Sequence, residues 1–285
     1  MNKTIIKLAL AEDLDPSGDI SGQMLENQKA KAQIIAKEPG IMACRNLVSE
    51  ILQTYCEIYC PEENFEIVFH KADGAEFQAK EILVEIYADI KILLATERTI
   101  LNFLQRLTAI STQARKLTSM ILKTNCKLLD TRKSSPGLRL LSKEALRIGG
   151  GTNHRMNLSD MVMLKENHIA GIKHTEIQKL IQNLRNKFPQ VKIEVEINKD
   201  NLPLLKTFVE NAVDIVMLDN FDYNELPILV SQIRSLSALV KIEASGGINE
   251  NNLLDYAQTG VDYISMGSVF TQAGILDLSM IIEIL

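Results

Sequence analysis

Over the first hundred residues the apolar positions change rhythm several times. Residues 4–14 repeat at helical spacing, with Ile5, Leu8 and Ala9 on one side, and Asp15-Pro16-Ser17-Gly18 supplies the turn chemistry that ends a helix. β-like runs follow at 32–36, 66–69 and 83–87, with a helical stretch over 45–55 between the first two. Strands and helices mix here without a regular repeat, which predicts an α+β arrangement. Residues 97–124 then read as one long helix, in which Ile100, Leu101, Leu104, Leu107 and Thr108 recur on one face. A helix of that length suits a link between two domains.

From residue 126 the pattern becomes regular. Short apolar strands recur at 127–130, 161–165, 191–197, 214–218, 240–244 and 261–266, and helical stretches such as 176–186 and 251–259 separate them. Strand ends spaced by roughly 20 to 35 residues are those of consecutive βα units, which build a barrel or a doubly wound sheet. The run Val191-Lys192-Ile193-Glu194-Val195-Glu196-Ile197 favours the barrel. Its apolar residues point one way and its charged residues the other. A strand covered by helices on both faces should read apolar throughout. A barrel strand with helices outside and a polar interior fits this alternation, and an edge strand with one wet face is the alternative. In the barrel, Glu196 sits near the C-terminal mouth. The expected fold is therefore α/β: an N-terminal region of mixed strands and helices, followed by repeated βα units that favour a barrel.

Composition narrows the class. The 285 residues are 46% hydrophobic and 24% charged, which excludes disordered, collagen-like and coiled-coil chains. A net charge of −5 argues against whole-surface attraction to nucleic acid or an anionic membrane, so any bound anion needs a local cluster. No run approaches the ~20 apolar residues of a membrane span. The N-terminus turns acidic after a short apolar stretch and does not read as a signal peptide. A reduced, cytoplasmic enzyme is expected. Cys44, Cys56, Cys60 and Cys126 then read as free packing thiols, although Cys56 and Cys60 share a helix face.

The chemistry concentrates between Asp130 and Lys165. Seven Lys and Arg stand there against three acids, a local +4. Arg132 and Lys133 directly follow a strand, His154 and Arg155 follow the Gly149-Gly150-Gly151 turn, and Lys165 ends the next strand. Each falls at or near a C-terminal strand end, where barrel active sites form. Between them lies a helix that Ser135 can cap and whose first turn suits Pro136, with Leu138, Leu141, Ala145 and Ile148 as its buried stripe and Gly149 at its end. Arg139, Lys143 and Arg147 read as its exposed face.

Two later loops suit phosphate. Ser245-Gly246-Gly247 follows one strand and precedes a helix that Asn249 can cap, and Gly267-Ser268 follows the next strand and opens the last helical segment. Glycines let backbone N–H groups approach an anion, and consecutive late βα loops are where barrels hold phosphate. Glu196 and Asp219 also end strands, and carboxylates beside a phosphate site suit Mg²⁺, which prefers oxygen ligands. A polyanionic substrate with a phosphate group, magnesium and several fixed cations is the chemistry expected. Ordinary salt bridges of these acids to Lys133 or Lys165 are the alternative. No Walker loop or G-x-G-x-x-G occurs.

Asp130-Thr131-Arg132-Lys133, Pro136-Gly137-Leu138-Arg139, the Gly149–Arg155 run GGGTNHR and Leu164-Lys165-Glu166-Asn167-His168 together resemble the carboxylating nicotinate-nucleotide pyrophosphorylases, or quinolinate phosphoribosyltransferases. The resemblance covers nearly the whole chain. Glu12-Asp13-Leu14 with Gly18-Asp19-Ile20, Glu97-Arg98-Thr99 with Leu101-Asn102, and the later Glu194-Val195-Glu196, Leu218-Asp219-Asn220-Phe221, Ser245-Gly246-Gly247 and Gly260-Val261-Asp262-Tyr263 follow in family order. It implies an N-terminal α/β sandwich domain (residues 1–108, with 275–285 packing back on it), an incomplete, seven-stranded α/β barrel over 109–274, a homodimer or larger assembly, and a Mg²⁺-dependent reaction of quinolinate with 5-phosphoribosyl 1-pyrophosphate that gives nicotinate mononucleotide, pyrophosphate and CO₂ in NAD biosynthesis.

By the same resemblance Thr131, Arg132, His154, Arg155 and Lys165 bind substrate, chiefly the quinolinate carboxylates, and Arg98 reaches in from the partner subunit. Lys133, Glu196 and Asp219 meet the ribose, pyrophosphate or magnesium. Ser245, Gly246, Gly247, Met266, Gly267 and Ser268 surround the 5-phosphate. Ser134-Ser135 stands where many members have two threonines, Asn157 where glycine is frequent, and Thr271 near a position that many relatives give to histidine. Three other readings are a paralogue of the kind associated with molybdenum transport, a phosphate-barrel lyase of the tryptophan pathway, and a non-catalytic phosphate-ligand binding protein.

Overall fold

A helix opens the chain because nothing before Asp15 interrupts it. In the computed structural model, which describes residues 2–285, α1 runs Asn2–Leu14 and buries Ile6, Leu10 and Leu14. β1 (Lys29–Ala36) alternates, with Ala30, Ala32, Ile34 and Ala36 buried. β2 (Gly40–Ile41), α2 (Asn46–Tyr59), β3 (Glu66–Phe69), β4 (Glu76–Phe77) and β5 (Ile82–Asp89) follow. α2 is amphipathic, with Leu47, Val48, Ile51 and Leu52 inside.

The long helix α3 spans Ile90–Met120. It begins seven residues before its expected start. No Gly or Pro separates it from β5, and the apolar Ile90–Leu94 run hides the change of period. The Asp89 carboxylate accepts the Lys91 backbone N–H at 2.9 Å, the local device that turns strand into helix.

The parallel strands are β6 (Lys127–Leu129), β7 (Val162–Leu164), β8 (Ile193–Ile197), β9 (Ile215–Asp219), β10 (Lys241–Ser245) and β11 (Tyr263–Ser265). Between them come α4 (Arg139–Ile148), α5 (Glu166–Ile169), α6 (His174–Lys187), α7 (Leu205–Glu210), α8 (Leu226–Leu236) and α9 (Leu253–Ala257), and after β11 come α10 (Ser268–Thr271) and β12 (Leu278–Ile284). The parallel sheet has the order β6-β11-β10-β9-β8-β7. Its first strand in sequence pairs with its last, the closure of a barrel. A single parallel bridge, Leu129 with Thr152, adds a rudimentary seventh strand on the other side of β6. The seam between Thr152 and β7 stays open, so the barrel is incomplete.

β8 is buried along its whole length and lies between β7 and β9, so it is no edge strand. Glu194 and Glu243 are wholly buried. The charged face of β8 therefore looks into the barrel, as the alternation predicts. Outside the strands the same clamp is used twice. Arg185 reaches the Val191 carbonyl and Asp214, whose carboxylate accepts the Ile193 N–H. Arg234 reaches the Val240 carbonyl and Asp262, which accepts the Ile242 N–H. Each ties a helix to the start of the following strand.

The antiparallel sheet has the order β12-β1-β5-β3, and β12 pairs with β1 from Ala30–Ile284 to Ala36–Leu278. The C-terminal end of the chain is thus a strand of the N-terminal sheet. The chain divides into two compact units that are drawn differently from a cut at residue 108: 1–115 with 134–150 and 269–285, and 116–133 with 151–268.

α4 departs from expectation in three ways. It starts at Arg139, not at a Ser135 cap, because Gly137 adopts φ +78° and a Ser135–Leu138 turn precedes the helix. Ile148 is only half-buried, while Ser142, Lys143 and Leu146 join Leu141 and Ala145 inside. Lys143 is wholly buried, not part of an exposed basic face. Half of this ten-residue helix is covered, a wider arc than one apolar stripe requires.

All four cysteines are free thiols, three of them buried. Burial pushes the Cys44, Cys60 and Cys126 thiols up to about 12, with acidic or thiol neighbours adding to it. His70 is a surface partner of Glu85 at 3.2 Å. The side chain of His174 lies outside the described residues. No described helix is long and apolar enough to cross a membrane.

Candidate active site

Parallel strands deliver their C-terminal ends to one rim, and the expected site residues arrive there. Thr131, Arg132 and Lys133 follow β6, and His154 and Arg155 follow the Thr152 bridge. Lys165 follows β7, Glu196 is the last residue but one of β8, Asp219 closes β9 and Ser245 closes β10. Gly246 and Gly247 come next, and Met266, Gly267 and Ser268 follow β11. All lie in the second compact unit, and Arg98 lies in the first, exposed beside Glu97 at 3.7 Å.

The cations are arranged for an anion. Arg132 is half-buried, and its Nε is shielded from solvent with no hydrogen-bond partner among the described residues. Arg155 donates to the Met161 carbonyl at 3.2 Å and meets Met163 Sδ at 3.3 Å. Burial lowers its pKa, the neighbouring charge of Arg132 lowers it further, and Glu194 and Glu196 pull the other way. Two guanidiniums that repel each other, one with a buried donor unused, are a poor arrangement for stability and a good one for a carboxylate.

Lys165 forms a short ion pair with Glu196, so part of the ordinary salt-bridge reading holds for this pair. Its backbone N–H donates to His168 Nδ1 at 3.1 Å, which lets the exposed His168 cap α5 and steady Lys165. Lys133 is exposed, its N–H donating to Thr131 Oγ1 at 3.1 Å. Its stem lies over Gly267, where an added Cβ would come within 2.9 Å of Lys133 Cδ.

Gly246 is required twice over. Its φ is +88°, and a Cβ there would stand 2.3 Å from Asn220 Oδ1 and 2.8 Å from the Asn220 backbone nitrogen. Asn220, itself at φ 59°, gives its N–H to the Ser245 carbonyl at 2.9 Å and its side-chain amide to Asp219 Oδ2 at 2.6 Å. The phosphate-loop glycine and the strand-end carboxylate are therefore joined through Asn220, which the sequence shows only as part of the Leu218-Asp219-Asn220-Phe221 motif. Asn249 caps a turn, accepting from Asn251 at 3.0 Å, and α9 begins only at Leu253. Ser268 Oγ, at the start of α10, is buried without a hydrogen-bond partner among the described residues. Met266 is buried and its N–H reaches the Leu129 carbonyl at 3.2 Å, joining β11 to β6.

His154 is differently placed from the other cations. Its side chain is 7% exposed and points into the barrel, with Nε2 at 3.0 Å from Glu194 and 3.3 Å from Glu243. Its backbone N–H donates to the wholly buried Asp130. Burial opposes charging the ring, but the hydrogen bonds and charges of Glu194 and Glu243 outweigh it and raise the pKa. Burial also raises the pKa of Glu194, His154 opposing and Glu243 reinforcing the shift. Nδ1 meanwhile accepts the Arg155 N–H at 2.7 Å. Sequence reading placed Glu194 on the charged face of β8 without giving it a role, and did not single out Glu243. The available signal was an acid flanked by apolar residues in each strand, Ile193-Glu194-Val195 and Ile242-Glu243-Ala244.

Known proteins resemble this chain over nearly its whole length. The model of the quinolinate phosphoribosyl transferase C-terminal domain matches residues 110–281, and that of the N-terminal domain matches 19–108. A probable carboxylating nicotinate-nucleotide pyrophosphorylase of Synechocystis is 36% identical over 272 residues, 95% of this chain and 89% of that one. Its counterpart in Bacillus subtilis is 34% identical over 281 residues, 98% and 92% of the two chains. The solved nicotinate-nucleotide pyrophosphorylase of Francisella tularensis superposes with a TM-score of 0.88 at 34% identity, covering 99% of this chain and 96% of that one.

Proposed function

Since the chain belongs to the quinolinate phosphoribosyltransferase family, we propose that Arg132 and Arg155, with Lys165, receive the two carboxylates of quinolinate. The enzyme transfers phosphoribosyl from 5-phosphoribosyl 1-pyrophosphate to quinolinate with decarboxylation, in NAD biosynthesis. The molybdenum-transport paralogue, the tryptophan-pathway lyase and the binding protein are thereby set aside. The observation that carries the assignment is the buried Nε of Arg132, without a hydrogen-bond partner among the described residues, beside the guanidinium of Arg155. A planar guanidinium offers a carboxylate two parallel donors, and a hydrogen bond to a charged group is worth about 1.5–3 kcal/mol.

The remaining roles follow from position. The loops at 245–247 and 266–268 supply backbone donors and the Ser268 hydroxyl for the 5-phosphate. Lys133, at the same rim, offsets charge on the departing pyrophosphate. Glu196 and Asp219 are oxygen donors on neighbouring strands and fit Mg²⁺ in donor chemistry. Lys165 already offsets Glu196, so the ion would rely on substrate phosphates as well. When bound, magnesium would neutralise the leaving group.

The N–C1′ bond forms as the C1′–O bond to pyrophosphate breaks. Loss of CO₂ then leaves its electron pair beside a positively charged ring nitrogen, which is the electron sink, and a proton takes the vacated carbon. Decarboxylation therefore follows transfer. Release of CO₂ from quinolinate without the phosphoribosyl donor would refute that order.

The reading extends to a cytoplasmic homodimer or larger assembly in which Arg98 of the partner subunit completes each site. Its support is an exposed arginine carried on a rigid helix. The decisive experiment measures nicotinate mononucleotide and CO₂ with quinolinate or nicotinate as acceptor, with and without EDTA, for wild type and Arg132→Gln. Magnesium-dependent product from quinolinate, with its KM raised about 10- to 100-fold in the variant, is expected from the loss of a charged hydrogen bond. An unchanged KM would move the carboxylate site elsewhere. Mixing Arg98→Gln with Arg132→Gln protomers should restore part of the activity if the sites are shared, and none if they are not.

A further inference from the structure

We infer that Glu194 and Glu243 are positioning residues that act on quinolinate binding through His154, by fixing its proton on Nε2 and so leaving Nδ1 to hold the Arg155 backbone. This rests on the reading of Arg155 as a carboxylate ligand.

Glu194 and Glu243 come from β8 and β10, which flank β9. Both carboxylates are wholly buried, and among the described residues neither oxygen of either has a hydrogen-bond partner other than the His154 ring that lies against them. Buried acids without a task are costly and are usually replaced by apolar residues without loss of stability. Here they converge from two strands on one nitrogen, at 3.0 and 3.3 Å. A carboxylate oxygen facing a ring nitrogen requires a proton between them, so Nε2 is the protonated nitrogen. The hydrogen bond made by one ring nitrogen sets the role of the other. The two carboxylates favour a second proton on the ring, but the Arg155 N–H points at Nδ1 from 2.7 Å and occupies the place of that proton, so Nδ1 is left as its acceptor.

The consequence is directional. The main chain at His154 is already pinned by Asp130, which accepts its N–H at 3.0 Å. With the ring fixed as well, the next peptide unit is held from both sides and Arg155 leaves it in a defined direction. A ring with its proton on Nδ1 would present that proton to the Arg155 N–H, and the peptide would turn away. Neither ring nitrogen is then available to touch substrate, so His154 acts by aiming its neighbour.

The test uses the full-length enzyme. Histidine-labelled protein is examined by long-range ¹H–¹⁵N correlation NMR, which distinguishes the two tautomers. Quinolinate and phosphoribosyl pyrophosphate KM values are measured for Glu194→Leu, Glu243→Leu, their double variant and the two glutamine variants. Glutamine keeps an acceptor oxygen facing Nε2, and leucine removes it while filling the space. We expect the Nε2–H tautomer at His154 in wild type. We expect the leucine double variant to raise the quinolinate KM by about tenfold, a 1.4 kcal/mol loss of binding, with the phosphoribosyl pyrophosphate KM within about twofold. Its His154 signal should shift to mixed tautomers. The glutamine variants should recover most of the quinolinate affinity.

An Nδ1–H tautomer or a doubly protonated ring in wild type overturns the inference whether or not any variant folds. So does a leucine double variant with an unchanged quinolinate KM, or one in which both KM values rise together. Arg155→Gln separates this from the reading beneath it. If that change leaves the quinolinate KM unaltered, the assignment of Arg155 fails. If it raises KM while the leucine variants do not, only the positioning role fails.

Discussion

Replacing Gly246 by alanine tests the link between the phosphate loop and Asp219. The backbone there has φ +88°, and the new Cβ would meet Asn220 Oδ1 at 2.3 Å, Asn220 Cγ at 2.7 Å and the Asn220 backbone nitrogen at 2.8 Å. The first two contacts could be relieved by swinging the side chain, at the loss of its 2.6 Å hydrogen bond to Asp219. The third involves backbone and cannot. Left-handed conformation costs a residue with a Cβ about 1–2 kcal/mol, and overpacking adds about 1–3 kcal/mol, so a destabilisation of about 2–5 kcal/mol is expected. For a chain of this size that is a fall of roughly 5–15 °C in Tm. The phosphoribosyl pyrophosphate KM should also rise, because Asp219 loses its orienting amide. A thermal scan and initial rates at varied phosphoribosyl pyrophosphate measure both. In Asn220→Ala/Gly246→Ala the losses should sum to less than the two single changes, since the side-chain clash is then absent. A Gly246→Ala protein that melts within a degree of wild type and keeps its KM would refute the argument.

Further expectations follow from the same geometry. Burial raises the Asp262 pKa, but hydrogen bonds from Arg234, the Ile242 N–H and Lys241 outweigh it and lower the folded value. Its contribution is therefore complete above its unfolded pKa, about 3.9, and is lost as pH falls through the lower folded value. Urea unfolding of wild type should show this loss on acidification, and Asp262→Asn should flatten it; equal pH slopes would contradict the clamp. The Cys44 and Cys126 thiols, pushed to about 12, should not react with a disulfide reagent at pH 8 until the protein is denatured, and rapid labelling of native protein would contradict their burial. Tyr256→Phe removes the 2.9 Å bond to the Phe221 carbonyl and should cost about 1–3 kcal/mol by leaving that buried acceptor unpaired; an unchanged denaturation midpoint would show the carbonyl finds another donor.

Much of this molecule was legible from residue order because local period and strand alternation are properties of consecutive residues. The six parallel strands fall where apolar runs recur, four of them trimmed at one or both ends and β9 and β10 shifted by one residue. β8 declared its polar interior by itself, since Lys192, Glu194 and Glu196 share a face in any extended chain. The motif block from Asp130 to His168 pointed to its chemistry for a related reason: a parallel strand presents whatever follows it at the same rim. Where helices begin was less legible. α3 starts without a breaker, and α9 is delayed by an asparagine turn, because side-chain hydrogen bonds to backbone compete with helical ones and leave no mark in hydrophobic period.

The sequence alone determined the α/β class, the switch from mixed strands and helices to repeated βα units, the rim to which Arg132, Arg155, Lys165, Glu196 and Asp219 belong, and the loops suited to phosphate. Tertiary structure decided which groups meet. Lys143 looks like a surface cation until packing buries it. His154 meets its ring partners only because β8 and β10 bring Glu194 and Glu243 to the same nitrogen from 40 and 89 residues away. Asn220 becomes significant only when Gly246 closes against it. Charge and period are written in consecutive residues, whereas hydrogen-bond partners at 3 Å depend on strand order and register, and these are set by the burial of the whole chain at once.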